Sequence, residues 1–421
     1  MADNFIFPKG FYWGASTASH QVEGGHKNDW TEWEISPERE AWLHANGEIE
    51  KYGHDNFISG SAVDHRSLFK EDFKLASEFG HNASRFSIEW SRIEPEEGKF
   101  DDHEIHHYKN VIDEVKMLGM EPFVTLWHWP IPLWLRDKGG WENPLIVEHF
   151  KKYVEKMVLA VGPEVKFWIT LNEAEIYTGM SYMNGVWPPQ KKNPLAYWRV
   201  THNLIRAHRA AYHIIHRLQP DAKVGVATNN AYIEPYPNNI INRQFAKVIS
   251  WWGNFYFLNR IKDQQDFIGL NHYFHLRVNY WRIKNENART SDLGWELYPE
   301  AIYRTLLDLK RYNKPVYITE NGLADAKDKQ RGWFLIESLK NVHRAIGEGV
   351  DVRGYLHWSL MDNFEWAYGY WPQFGLIEIT DDLKRVPRPS CYLYKDICQT
   401  NGLTPETLEK YKDICGDPLR R

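Results

Sequence analysis

Cysteine is scarce in this sequence, and the few present exclude more than they suggest. Cys391, Cys398 and Cys415 are an odd number, all near the C-terminus, with no CxxC spacing. That argues against a disulfide framework or a zinc or dithiol site, and predicts buried or idle thiols in a reducing, cytoplasmic setting. No run approaches the length that crosses a bilayer, and Met1 to Gly10 lacks the basic and apolar regions of a secretory leader. Neither sign of charge dominates. The 51 basic and 56 acidic residues leave a net charge of −5, with no electrostatic footprint for nucleic acid or an anionic membrane. A neutral small molecule is the expected partner, and the oligomeric state is left open. No Pro/Ser/Gly-rich linker, charge block or low-complexity stretch divides the chain, so one domain over residues 1–421 is the simplest expectation.

What is abundant is apolar and aromatic. Hydrophobic residues make up 43% of the chain, enough for a large core, and there are 20 Trp. Most of these indoles serve packing, but flat apolar rings also suit the faces of sugars. Short β-prone runs recur, each followed by a helical pattern: Phe11 to Ser16, Ala83 to Ile88, Glu121 to Leu126, Lys166 to Leu171, Lys223 to Thr228, Asp266 to Leu270, Pro315 to Thr319, and Val352 to Leu356. Eight such units close a parallel barrel. Between the second and third runs, Ile105, Tyr108, Ile112, Val115 and Leu118 form the apolar stripe of a helix that covers the barrel wall. The predicted fold is therefore α/β, a single (β/α)8 (TIM) barrel, and polar residues directly after its strands are the ones to examine.

Two carboxylates stand at such positions. Thr170-Leu171-Asn172-Glu173 ends the fourth run, and Ile318-Thr319-Glu320-Asn321-Gly322 ends the seventh. A pair of this kind is what glycoside hydrolysis needs: one carboxylic acid to protonate the leaving oxygen and one carboxylate to meet the oxocarbenium-like carbon from the other face.

With these motifs in place, the chain resembles the family-1 glycoside hydrolases nearly from end to end. The matching segments are FYWGASTASHQVEG at Phe11 to Gly24, RFSIEWSRIEP at Arg85 to Pro95, TLWHWPIPLWL at Thr125 to Leu135, TLNE, DFIGLNHY at Asp266 to Tyr273, ITENG, and WSLMDNFEW at Trp358 to Trp366. The resemblance implies Glu320 as nucleophile and Glu173 as acid/base. It implies Gln21, His128, Trp129, Glu365 and Trp366 as sugar-binding residues, Trp358 as a stacking floor, Asn172 beside the acid/base, and Asn271 and Tyr273 near the nucleophile. It also implies a cis peptide after Trp358. Physically, Arg85 and Tyr273 favour an ionised Glu320, while a neighbouring carboxylate favours a protonated Glu173. Asn172 suits the sugar 2-hydroxyl. The expected activity is retaining hydrolysis of β-glucosides or β-galactosides from the non-reducing end, with transglycosylation open and no metal or organic cofactor. The alternative is a carbohydrate-binding protein on the same barrel with weak or no turnover.

Some positions depart from the family. Ala174 and Glu175 stand where Pro and often an aromatic follow the acid/base, which bears on the leaving-group side. Gln373 replaces a frequent Arg and Arg388 a Lys, both read as scaffold changes. Residues 229–254 are shorter than the corresponding family segment, trimming one wall. His103-Glu104-Ile105-His106-His107 satisfies the zinc-protease string HExxH, but Ile105 lies on the buried stripe, so both histidines are expected to face solvent without a third ligand.

Overall fold

The computed structural model describes residues 4–415, the side chain of Cys415 excepted. Eight strands form the closed barrel: β1 (Tyr12–Ser16), β2 (Ala83–Ser87), β3 (Glu121–Thr125), β4 (Phe167–Asn172), β5 (Lys223–Asn229), β6 (Phe267–Asn271), β7 (Val316–Asn321) and β8 (Val352–Trp358). All neighbours are parallel and in sequence order, with β8 pairing β1. The predicted α/β barrel is the fold observed. Long helices return the chain between strands: α1 (His65–Glu78), α2 (Asp102–Met117), α3 (Ile146–Val161), α4 (Pro194–Leu218), α5 (Ile240–Ser250), α6 (Glu300–Leu309), α7 (Arg331–Gly347), and α8 (Pro389–Thr400) after β8.

Local chemistry accounts for these boundaries. The α2 start is fixed by Asp101, whose carboxylate accepts from the His103 and Glu104 amides at 2.8 and 3.2 Å. Its buried face is Ile105, Tyr108, Val111, Ile112 and Val115. Asn193 caps α4 in the same way, with Pro194 in the first turn, where a missing N–H costs nothing. Inside the barrel, Phe123, Phe167, Phe267, Tyr317 and Leu356 fill the lumen, Phe123 stacking on Phe167 with centroids 4.3 Å apart. The barrel is thus a packed core with its working end at the mouth.

The ladders run one or two residues further than expected at several strand ends. Asn172, Asn229, Asn271, Glu320 and Trp358 are strand residues, not residues beyond strands. Register shifts occur at the C-terminal ends of β4 and β7, between Ile169 and Asn172 and between Ile318 and Glu320. Such bulges re-aim side chains, and here they fall on the two strands that carry the carboxylates. Gly322 marks another close approach: a Cβ there would lie 1.9 Å from the Trp358 carbonyl oxygen. The glycine of ITENG lets the end of β7 pass the end of β8.

One expectation is corrected. His103 is exposed, but His107 is half-buried, edge-on to Phe69 at 5.5 Å, and burial pushes its pKa down to about 3. A position two residues from Ile105 still borders the packed face of a helix, so it is partly covered by α1. Among the described residues no group of three or more His, Cys, Asp or Glu could hold a metal ion, and no helix is long and apolar enough to cross a membrane. Cys391 and Cys398 are buried and free; the side chain of Cys415 lies outside the described residues.

Candidate active site

The mouth is organised around Arg85, a fully buried guanidinium on β2. Its Nη1 donates to Glu320 Oε1 and to the Thr319 carbonyl, its Nη2 to Asn172 Oδ1 at 2.6 Å, and its Nε to Thr125 Oγ1 at 3.2 Å. Tyr273 donates its hydroxyl to the other Glu320 oxygen at 2.8 Å. Asn271 then ties the two carboxyls together. Its Nδ2 donates to Glu173 Oε1 at 2.7 Å and to Asn172 Oδ1 at 3.1 Å, and it also supports Glu320. Thr319 fixes the Asn271 amide by donating to its oxygen at 2.7 Å.

Electrostatics separate the pair. Burial is the largest influence on each and raises both, but Glu320 is pulled back by the Arg85 charge and by donors from Arg85, Tyr273 and Asn271. Glu173 has only amide donors and also feels Glu320 and Glu175, so its pKa stands well above the carboxylate range. The neighbouring carboxylate matters for Glu173, as the sequence suggests, but desolvation matters more. Glu173 sits at φ +43°, a left-handed conformation costing a non-glycine residue about 1–2 kcal/mol. Removing the Tyr273 donor should raise the pKa of Glu320. Tyr273→Phe is expected to move the acidic limb of the kcat/KM profile to higher pH and lower kcat/KM about 10- to 100-fold, the scale of a bond to a charged group; an unmoved acidic limb would contradict this.

The remaining predicted residues line one side of this centre. The Asn172 oxygen already accepts from Arg85 and Asn271, so its Nδ2 is the donor to His128 Nε2 at 2.9 Å. Burial, then Arg85, lowers the His128 pKa far below the usual range, keeping the ring neutral. Gln21 Nε2 donates to Asn363 Oδ1 at 3.0 Å, the Phe364 carbonyl at 2.8 Å and Glu365 Oε2 at 3.4 Å. Burial beside Glu320 pushes Glu365 up to about 8. Trp358 lies 6.2 Å from His128, and the peptide after it is cis. Trp366 stacks on His128 at 5.7 Å and packs against Trp129 at 4.5 Å. Trp129 contributes only its ring to this wall, because its indole N–H is engaged by the Asn172 carbonyl at 3.0 Å.

Two residues escaped the sequence reading. Asn363 shares Gln21 with Glu365. Asn229, at the end of β5, donates its side chain to Glu173 Oε1 at 3.1 Å, while its backbone N–H donates to Glu175 Oε1 at 2.5 Å. The signal for Asn229 was available as a polar residue directly after the fifth apolar run. Two family departures meet each other: Arg388 makes a two-pronged pair with Asp362 at 3.0 and 2.8 Å and also donates to Gln373 Oε1 at 2.9 Å. Asp362 belongs to the segment carrying Glu365, so these scaffold changes brace that loop.

Two carboxyls at the mouth of a (β/α)8 barrel, buried to a similar depth and given unlike partners, have the make-up that a barrel glycosidase needs. Comparison with known proteins narrows this. The sequence matches the family model for glycosyl hydrolase family 1 over residues 4–259 and 256–403. It is 34% identical to a 1,4-beta-D-glucan glucohydrolase of Thermotoga neapolitana, the alignment covering 94% of this chain and 99% of the relative. Among solved structures, the beta-glycosidase from Pyrococcus horikoshii superposes with a TM-score of 0.87 at 34% identity, covering 100% of both chains. The beta-glucosidase from Thermotoga maritima in complex with deoxynojirimycin gives 0.85 at 32% identity, covering 95% of this chain and 100% of that one. The chain belongs to glycosyl hydrolase family 1, and is a glycoside hydrolase acting on O-glycosyl bonds.

Proposed function

We propose that the protein is a single-domain retaining β-glycosidase that releases β-linked glucosyl or galactosyl residues from the non-reducing end, with Glu320 as nucleophile and Glu173 as acid/base. The observation that carries the assignment is the asymmetry of partners: a guanidinium and a phenol on Glu320, amides alone on Glu173. In the first step a Glu320 oxygen attacks the anomeric carbon while Glu173 transfers its proton to the departing glycosidic oxygen. The C–O bond to the aglycone breaks and a glycosyl ester forms. In the second step Glu173, now a carboxylate, takes a proton from water, whose oxygen displaces Glu320 and leaves the sugar with its original configuration. Two carboxyl groups complete this cycle, and it calls on no metal or organic cofactor.

Asn172 suits the sugar 2-hydroxyl, a contact that strengthens as charge develops at the anomeric carbon. Gln21, His128 and Glu365 supply polar groups for the remaining hydroxyls, and Trp358 and Trp366 the apolar surface. The same intermediate passes its sugar to an alcohol when one outcompetes water. Free, buried thiols at Cys391 and Cys398 suit a reducing compartment and support a cytoplasmic location. The stereochemical claim is tested by NMR of the first-formed sugar from an aryl β-glucoside and an aryl β-galactoside, which also ranks the two. The β-anomer is expected first; an initial α-anomer would sink the retaining mechanism, and saturable binding without product would favour a binding protein.

Glu175 modulates the acid. Burial raises its pKa to about 7, and once ionised its negative charge holds the proton on Glu173. Glu175→Gln, which keeps an acceptor for the Asn229 amide, is expected to move the basic limb of kcat/KM to lower pH. A basic limb that stays put would remove Glu175 from the account.

A further inference from the structure

Helix α5 presents apolar residues to solvent, against the usual arrangement in which the apolar stripe is buried. Ile240 is 75% exposed, Ile241 50% and Val248 52%, and Trp251 and Trp252, just past the helix end, are also exposed. Its buried residues are Asn242 and Ala246. The tip of the adjoining hairpin, formed by strands His275–Asn279 and Arg282–Ile283, extends the surface. Trp281 is 69% exposed, and its ring meets Phe245 of α5 edge-on at 4.5 Å. At the other end Trp252 meets the partly exposed Trp198 at 4.5 Å.

The charge of this face is one-sided. From Tyr236 to Lys262 the chain carries Arg243, Lys247, Arg260 and Lys262 and no acidic residue; from Leu276 to Asn285 it carries Arg277, Arg282 and Lys284, again with none. Arg277 is paired with Glu234 and Glu286. Among the described residues Arg243, Lys247, Arg282 and Lys284 have no acidic partner. A local excess of cations beside exposed indoles, on a chain of net charge −5, is hidden by any whole-sequence average.

We propose that this face docks the enzyme peripherally on an anionic lipid surface, with α5 lying in the headgroup plane. Exposed apolar patches of this kind mark association sites, and the charge selects the partner. An isologous contact between two copies would set like charges against each other. An anionic bilayer takes both features at once: Trp and aliphatic side chains enter the interface while cations meet the headgroups. The proposal is independent of the hydrolytic scheme.

The test is flotation of the full chain with vesicles of phosphatidylcholine containing about a third phosphatidylglycerol, and with phosphatidylcholine alone, at low and high salt. The wild type should float with the anionic vesicles only, and less so at high salt. Each cation near such a surface contributes about fivefold, so Arg243→Ser with Lys247→Ser should weaken binding roughly thirtyfold. Trp251→Ser with Trp281→Ser should weaken it as well, with turnover of soluble aryl glucosides unchanged in both variants. Failure of the wild type to float, or equal flotation with neutral vesicles, overturns the proposal. So does a dimer in sedimentation that ignores vesicles and that Trp281→Ser dissociates, which would assign the face to self-association.

Discussion

Glu320→Gln should lose turnover of every β-glycoside by about 10⁴-fold or more, the scale on which removing a covalent nucleophile acts. Two losses compound. The amide cannot form the glycosyl ester, and the Arg85 guanidinium, buried and bonded to the carboxylate in the wild type, is left facing a neutral group. Glu173 should respond as well, since the Glu320 charge is its second-largest upward influence after burial. Its pKa falls in the variant, and this is readable by NMR titration of the labelled carboxyl without any turnover. A Glu320→Gln enzyme that kept more than a hundredth of wild-type kcat/KM would remove Glu320 from the nucleophile role.

Glu173→Gln should divide its effect by leaving group. For alkyl and sugar aglycones, which need protonation to depart, kcat/KM is expected to fall about 10²- to 10⁴-fold, the range of general acid catalysis. For p-nitrophenolate, which departs unprotonated, formation of the glycosyl ester should be much less affected and its breakdown should become limiting. Azide, a nucleophile that needs no general base, then restores turnover and yields a β-glycosyl azide. An α-azide, or equal losses for good and poor leaving groups with no rescue, would contradict the assignment.

The barrel was legible because its signals are local and periodic: an apolar run, a turn, then a stripe such as Ile105, Tyr108, Ile112 and Val115. The carboxylate pair was legible because strand ends in a parallel barrel converge whatever their separation in sequence. Harder to see was anything set by contacts between loops. Asn229 looks like an ordinary polar residue until β4 and β5 bring it to Glu173. Gln373 and Arg388 read as two unrelated departures until folding places them 2.9 Å apart. His107 shows the limit of wheel geometry, since a neighbouring helix can cover a position that the pattern assigns to solvent. The outward apolar side of α5 escaped for a related reason. Periodicity reveals an amphipathic helix but not which of its sides the rest of the molecule leaves uncovered.

Arg85 has a consequence beyond its charge. This one side chain on β2 reaches β3 at Thr125, β4 at Asn172 and β7 at Thr319 and Glu320, so it gathers three other staves of the barrel at one point. Drawing β2 away from β7 takes the guanidinium donor from the nucleophile, a loss that requires no helix to unwind. Turnover is therefore expected to be a finer gauge of this contact than helical content: on heating, activity should fall before the circular dichroism signal does.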